Sequence, residues 1–271
     1  MLHTNTTRGW GIAIGIISIL FLMSASLVYG YTNTTWYDAY LAFFHPTTSN
    51  EHIIIRDVRF PRALIACFVG ACLGVSGAIM QSITRNPLSS PSILGVNAGA
   101  SFFVVVGVVF LSVQSLQSYM WLSFAGASFA FLLVFILSST GREGLTPLKL
   151  TLAGSAITAL FASFTQGLLV LNETALDQVL FWLAGSVANR PLDLLVTSLP
   201  YMIGALLLSF LRAKELNVLS IGDDVAVGLG QRTVWIKFFF GACAVILAGS
   251  AVAVAGPIGF VGIIIPHLIR S

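Results

Sequence analysis

Apolar residues run along this chain in blocks of about twenty, separated by shorter polar stretches. The blocks fall at 10–30, 63–83, 92–113, 119–137, 150–171, 192–211 and 234–255, with a shorter one at 258–269. At 1.5 Å per residue, a helix of such length crosses a hydrocarbon core of ~30 Å. The pattern predicts an all-α fold, a polytopic transmembrane helical bundle of about eight spans. Trp10 and Tyr29 stand at the ends of the first block, where interfacial aromatics belong. The apolar segment 178–188 is too short to span and reads as an interfacial or partly inserted helix.

The polar stretches carry the remaining local signals. Residues 31–62 hold Asp38, Glu51, Arg56, Asp57, Arg59 and Arg62, and are expected to lie in water or among headgroups. Pro61 sits where it can begin the second span, since its missing N–H is no loss there. Pro87 and Pro91 interrupt helical hydrogen bonding between the second and third spans. The segment 212–232 is a long charged loop.

Composition removes the soluble alternative. Of 271 residues, 57% are hydrophobic and only 8% charged, against ~25% in a typical soluble domain. The mean hydropathy is +0.94. The net charge of +3 comes from scattered residues that form no basic patch interleaved with aromatics, so nucleic acid is not an expected partner. Cys67, Cys72 and Cys243 lie inside apolar blocks at no metal-site spacing and read as small buried hydrophobes. The first block has no convincing cleavage site after it and is expected to be a retained helix.

The basic residues give an orientation. With the N-terminus inside, the inner segments hold Arg8, Arg85, Arg142, Lys149, Arg212, Lys214, Arg232 and Lys237. The outer ones hold only Arg56, Arg59, Arg62 and Arg190. That bias favours a cytoplasmic N-terminus.

Glycine recurs at a spacing of four, at Gly11 and Gly15, Gly70 and Gly74, and Gly95 and Gly99, as expected where membrane helices pack closely. No span carries a carboxylate at mid-depth, which speaks against a proton-coupled carrier. Asn97, Ser101, Ser163 and Gln166 are neutral polar residues that either line a path for a polar solute or form helix–helix hydrogen bonds. There is no G-x-x-x-x-G-K-[ST] loop, no H-E-x-x-H and no nucleophile beside a base. No catalytic residue is therefore assigned. In the 212–232 loop, Ser220 and Asp223 have the spacing of a capping box, and the following residues suit a short amphipathic helix ended by glycine. Such a helix could dock another protein or be an ordinary surface loop.

Three separated stretches carry a family resemblance. The first is Arg59-Phe60-Pro61-Arg62 leading into Gly70-Ala71-Cys72-Leu73-Gly74, with Gln81, Asn86-Pro87-Leu88 and Ile93-Leu94-Gly95-Val96. The second is Asn217-Val218-Leu219-Ser220-Ile221-Gly222-Asp223 with Ala226 and Leu229-Gly230. The third is Gly256-Pro257-Ile258-Gly259-Phe260-Val261-Gly262, ending in Pro266-His267-Leu268-Ile269-Arg270. Together they resemble the FecCD family of ABC transporter permeases, importers of iron–siderophores, haem and vitamin B12.

The resemblance implies ten spans per subunit, so residues 1–271 are expected to be a single transmembrane permease domain lacking its last two spans. It implies a second permease subunit, two cytoplasmic ATPase subunits that bind ATP and Mg, and a solute-binding protein outside. No cofactor is expected in this chain. Arg59 and Arg62 match the outer pair that such permeases offer to acidic residues of the binding protein, although snorkelling at the membrane edge is an alternative role. Leu219, Ser220, Ile221, Gly222, Asp223, Asp224, Ala226, Leu229 and Gly230 match the coupling segment, whose aspartates are expected to meet the ATPase. Asn86 and Pro87 match a loop expected to make a tight turn. The implied function is import of an iron–siderophore across a bacterial or archaeal cell membrane. The alternatives are a cobalamin or haem importer of the same family, an ion-coupled carrier, or a membrane assembly subunit.

Overall fold

The computed structural model describes residues 5–45, 47–140 and 145–270. Arg142, counted above among the inner basic residues, lies outside them, as do the side chains of Arg8 and Arg270. The described chain is all-α, and no strand occurs among the described residues. Six helices are long and apolar enough to cross a membrane. Five of them stand alone: α1 (Asn5–Val28), α6 (Leu116–Ser139), α7 (Pro147–Leu171), α9 (Leu192–Leu211) and α12 (Thr233–Ala255).

The remaining one revises an expectation. The second span does not begin at residue 63. After a short helix α2 (Trp36–Phe44), a continuous helical stretch of 35 residues runs from Asn50 to Thr84. It consists of α3 (Asn50–Ile53), a wide π turn (Ile54–Arg59) and α4 (Phe60–Thr84). At roughly 50 Å it is longer than the hydrocarbon core, so its first turns project beyond the span. Pro61 is inside this stretch rather than at its start. A proline ring there would collide with the carbonyl one turn earlier and leaves it without a donor. The π turn relieves both problems by widening the backbone, and Phe60 N–H donates to Ile55 O instead.

The third span is also broken. A 3₁₀ turn (Pro91–Leu94) leads to α5 (Val96–Leu111), with Gly95 at φ +74° between them. α5 has only 16 residues. The short segment near 178–188 is α8 (Glu173–Leu183), which starts earlier than expected because Asn172 caps it by accepting a hydrogen bond from Ala175 N–H. The charged loop holds two helices, α10 (Ala213–Ile221) and α11 (Asp223–Gly228). The last apolar block is α13 (Val261–Arg270).

α12 is the centre of the bundle. In its most apolar window 78% of residues are buried, against 6% in that of α1. It packs against α4, α6 and α9, while α5 packs between α6 and α7, and α13 lies on α4. Small residues permit these approaches. A Cβ on Gly99 would collide with the Gly126 carbonyl of α6, so only glycine allows that crossing. Gly70 and Gly74 do otherwise: they meet little, and open onto a groove. α1 presents Trp10, Ile12, Ile17 and Phe21 outward, as lipid-facing residues should be.

Candidate functional site

Consecutive spans alternate in direction, so the polar segments gather at two ends of the bundle. One end holds the C-terminus of α1, α2, the π turn and α8. The other holds the end of α4, the start of α7, α10, α11 and the start of α12.

At the first end the two arginines expected to act as a pair are separated. Arg62 is exposed, but Arg59 is only 4% exposed. Its Nη1 donates to Val28 O (2.6 Å), Thr34 Oγ1 (2.7 Å) and Leu27 O (2.9 Å), and its Nη2 to Thr32 O (2.6 Å). Arg59 thus satisfies the carbonyls left open at the C-terminus of α1, where a cation also suits the helix dipole. The expectation of a paired outer docking site is corrected accordingly. Residues three apart share a face in an α-helix, but Arg59 lies in the π turn, whose extra residue breaks that alignment. Arg56 is exposed beside Arg62.

Nearby, α8 contributes Phe181 and Trp182 to a cleft of about 310 Å³ that also contains Gln114, Tyr119, Gln178 and Arg190. Partial burial there lowers the pKa of the Arg190 guanidinium. The Gly256-Pro257 motif ends α12 against the tail of α8, where Ser186 N–H donates to Ala255 O (2.7 Å). Gly256 has φ +78°, and a Cβ there would collide with the Trp182 carbonyl. Gly259 and Phe260 are exposed, Gly262 packs on Gly77 of α4, Pro266 is buried within α13, and His267 is exposed. An apolar groove of about 560 Å³ runs along α4 between α1 and α13, lined by Gly70, Ala71, Gly74 and Ile265.

Asn97 and Ser101 are half-buried one turn apart on α5, and Gln166 is exposed near the end of α7 with Ser163.

The opposite end contains the more organised polar cluster. α9 turns into α10 at Arg212, which grips Glu215 with Nε donating to Oε1 (2.8 Å) and stacks on Phe239. The Glu215 hydrogen bond pushes the Arg212 pKa further up. The expected capping box is absent. Ser220 lies in the last turn of α10, where its Oγ donates to Asn217 O (2.7 Å). Gly222 separates the two helices, and Asp223 begins α11 with its carboxylate directed inward. Asp223 Oδ1 accepts from Arg85 Nη2 (2.7 Å), and Oδ2 from Lys237 Nζ (2.8 Å). Lys237 Nζ also donates to Leu145 O (3.0 Å). The expectation that both aspartates await a partner on another protein is thereby corrected for Asp223, while Asp224 is exposed. Lys237 is 5% exposed and was missed as a site residue. Its signal was a lysine inside an apolar block, an arrangement that needs a buried partner.

Leu219 and Ala226 are fully buried and anchor α10 and α11 on the bundle. Their neighbours do the reverse. Ile221 is 70% exposed and Leu229 67%, with Val225 and Val227 also outward. Gly230, at φ +80°, ends α11. Beside this face, Asn86 Oδ1 accepts from Leu88 N–H (3.0 Å) and Asn86 O from Ser89 N–H (3.1 Å), so Asn86 and Pro87 form a tight turn. That turn and α10 border a cleft of about 450 Å³ lined by Gln81, Ser82, Arg85, Asn217 and Ser220.

Residues 16–271 match the FecCD transport family. The chain belongs to this family. It is 54% identical over its whole length to the protein named "Probable siderophore transport system permease protein YfiZ" of Bacillus subtilis (strain 168), covering 81% of that protein. It is 40% identical to the ferric enterobactin transport system permease protein FepD of Escherichia coli (strain K12), over 94% of this chain and 77% of the other. Among solved structures it resembles a metal-chelate type ABC transporter in an inward-facing conformation, with a TM-score of 0.81, 29% identity, and coverage of 96% of this chain and 80% of that one. As a FecCD chain it is a multi-pass membrane permease, a transporter subunit and not an enzyme.

Proposed function

We propose that this FecCD permease carries iron–siderophore chelates inward across a bacterial or archaeal cell membrane, with its N-terminus in the cytoplasm. It does so beside a second permease subunit, driven by two ATPase subunits that bind ATP and Mg, and supplied by a solute-binding protein outside. The observation that carries this reading is the face of α10 and α11. Ile221, Val225, Val227 and Leu229 are exposed on short helices that carry Asp224, too short and too polar to sit in lipid. Contiguous exposed apolar side chains on an aqueous face mark a surface that another protein covers. The adjacent Asn86-Pro87 turn extends that surface. At the other end, exposed Arg62 and Arg56 offer guanidinium groups suited to carboxylates of the binding protein.

The test has two parts. Co-expressed permease and ATPase are expected to purify together and to hydrolyse ATP, while the permease alone shows no hydrolysis. Proteoliposomes with the binding protein are then offered radio-iron as ferric citrate, a ferric hydroxamate and ferric enterobactin, with cobalamin and haem as controls. Uptake of cobalamin or haem in preference to every iron chelate would replace the substrate while retaining the machine. Orientation is tested by a cysteine at Ser220, which should resist an impermeant thiol reagent in intact cells and react after permeabilisation.

A further inference from the structure

The Asp223 carboxylate ties the outward-facing helix pair by charge to the ends of the spans behind it. It rests on a short helix whose neighbours face outward, yet both of its oxygens are engaged inward. Arg85 reaches it from the C-terminal end of α4, and Lys237 from the second turn of α12, the central helix. Lys237 extends the connection to the Leu145 carbonyl, just before α7. One carboxylate thus bridges the ends of α4 and α12 and, through Lys237, the approach to α7.

Two features make this a joint rather than a general surface ion pair. Lys237 is buried, and among the described residues its ammonium has Asp223 and the Leu145 carbonyl to replace water, so drifting from Asp223 carries a desolvation penalty. Arg85 has φ +51°, a left-handed backbone at a non-glycine residue, which turns the chain sharply out of α4. Its backbone fixes where the guanidinium emerges. The Asp223–Arg85 arm is part-exposed and therefore loose and exchangeable, while the Asp223–Lys237 arm is fixed.

We infer that Asp223 is the positioning residue through which displacement of α10 and α11 is transmitted to the ends of α4 and α12, so that the Arg85–Asp223–Lys237 bridge sets how much transport each ATP drives. This rests on the proposed ATPase-driven reading. Asp224 and the exposed apolar residues hold the partner, and Asp223 converts that grip into motion of the spans. Removing the charge should therefore separate two quantities that a purely structural residue would change together.

The complete importer is reconstituted in proteoliposomes as wild type, Asp223→Asn, Asp223→Glu and Arg85→Gln. Radio-iron uptake is measured with whichever of ferric citrate, a ferric hydroxamate and ferric enterobactin the wild type takes up best. ATP hydrolysis and co-purification of the ATPase are measured on the same samples. Asp223→Asn is expected to keep the ATPase bound and to lower iron carried per ATP by about tenfold. Asp223→Glu, which retains the charge, should recover most of the loss, and Arg85→Gln should show a smaller loss because only the loose arm goes. Unchanged uptake per ATP in Asp223→Asn would overturn the inference. So would loss of the ATPase from the complex, which would make Asp223 part of the grip itself. If Asp223→Asn does not fold, an unchanged ratio in Arg85→Gln overturns it instead. A wild-type complex that binds no ATPase, or takes up none of the chelates, refutes the underlying transport reading and is recognised before any variant is compared.

Discussion

The two ends of this permease solve the same problem with opposite chemistry. At the α1 end a buried cation, Arg59, is surrounded by neutral acceptors: three backbone carbonyls and the Thr34 hydroxyl. At the α11 end a half-buried anion, Asp223, is shared by two cations. The first arrangement is a clamp. Its acceptors belong to fixed backbone, and the guanidinium fork spans them all at once. The second is a bridge between separate helices, and a carboxylate shared by two cations can loosen one hold while retaining the other. Charge at a membrane edge can thus serve rigidity or motion, and the partner set decides which.

The largest test of this contrast is Arg59→Leu. It removes the guanidinium donors to Leu27 O, Val28 O and Thr32 O, leaving Val28 O only its bond from the Thr34 hydroxyl, so stability should fall by about 2–3 kcal/mol. Thermal unfolding in detergent would measure it. Arg59→Lys should recover only part, since an ammonium lacks the fork. Loss of stability no larger than that of Arg62→Leu would deny that Arg59 is a clamp.

Next comes an asymmetry within the bridge. Asp223→Ala leaves the Lys237 ammonium buried with the Leu145 carbonyl as its partner among the described residues, and should cost about 1–3 kcal/mol after allowing for the part-exposed carboxylate. Lys237→Met should cost less, because Asp223 keeps Arg85 and access to water while the apolar chain fills the same space. Equal losses would mean that Lys237 is better solvated than its 5% exposure states.

A smaller effect on the fold, yet a visible one on docking, is expected from Arg62→Glu. The side chain is exposed, so stability should change by about 0.5 kcal/mol or less. Association with the loaded binding protein in nanodiscs should slow, and lose part of its salt sensitivity. Arg59→Glu should instead prevent correct assembly of the α1 end, separating the two arginines experimentally.

The smallest effect concerns α2, which is capped in open water. Asp38 Oδ2 accepts from Thr35 N–H (2.8 Å) and from the Thr35 hydroxyl (2.7 Å). The Thr35 backbone hydrogen bond, then the hydroxyl, hold its pKa below the ordinary carboxylate range. The folded value is depressed, so this contribution is present above the ordinary range and lost as pH falls through the folded value. A spin label at Tyr40 should become more mobile only in that acidic window. Mobility at Tyr40 that already rises near neutral pH would contradict the capping role.

How much of this was legible beforehand varied from residue to residue. The spans at 119–137, 150–171, 192–211 and 234–255 could be read because hydrophobic blocks of that length have few other uses. A short amphipathic helix ended by glycine could be read in the 212–232 loop, and the structure has α11 there. Ser220 was misread as a cap because spacing alone does not tell which helix a hydroxyl belongs to, and Gly222 divides the segment after Ser220, not before it. Arg59 was misread for a different reason. Its pairing with Arg62 came from the family resemblance, which matches positions along the chain and does not tell that the Arg59 side chain turns back onto the end of α1.

The sequence by itself determined the apolar spans, the helical class, the family and the placing of charge at the bundle's edges, because these follow from transfer free energy and local backbone rules. Tertiary structure alone decided which charges face outward. Arg59 and Arg62 are the same residue type three positions apart, and Asp223 and Asp224 are adjacent. One member of each pair is consumed within the chain by groups far off in sequence: Val28 and Thr32 for Arg59, Arg85 and Lys237 for Asp223. Burial makes the difference, since a charge near apolar spans must find partners, and only the packed fold specifies which lie within reach.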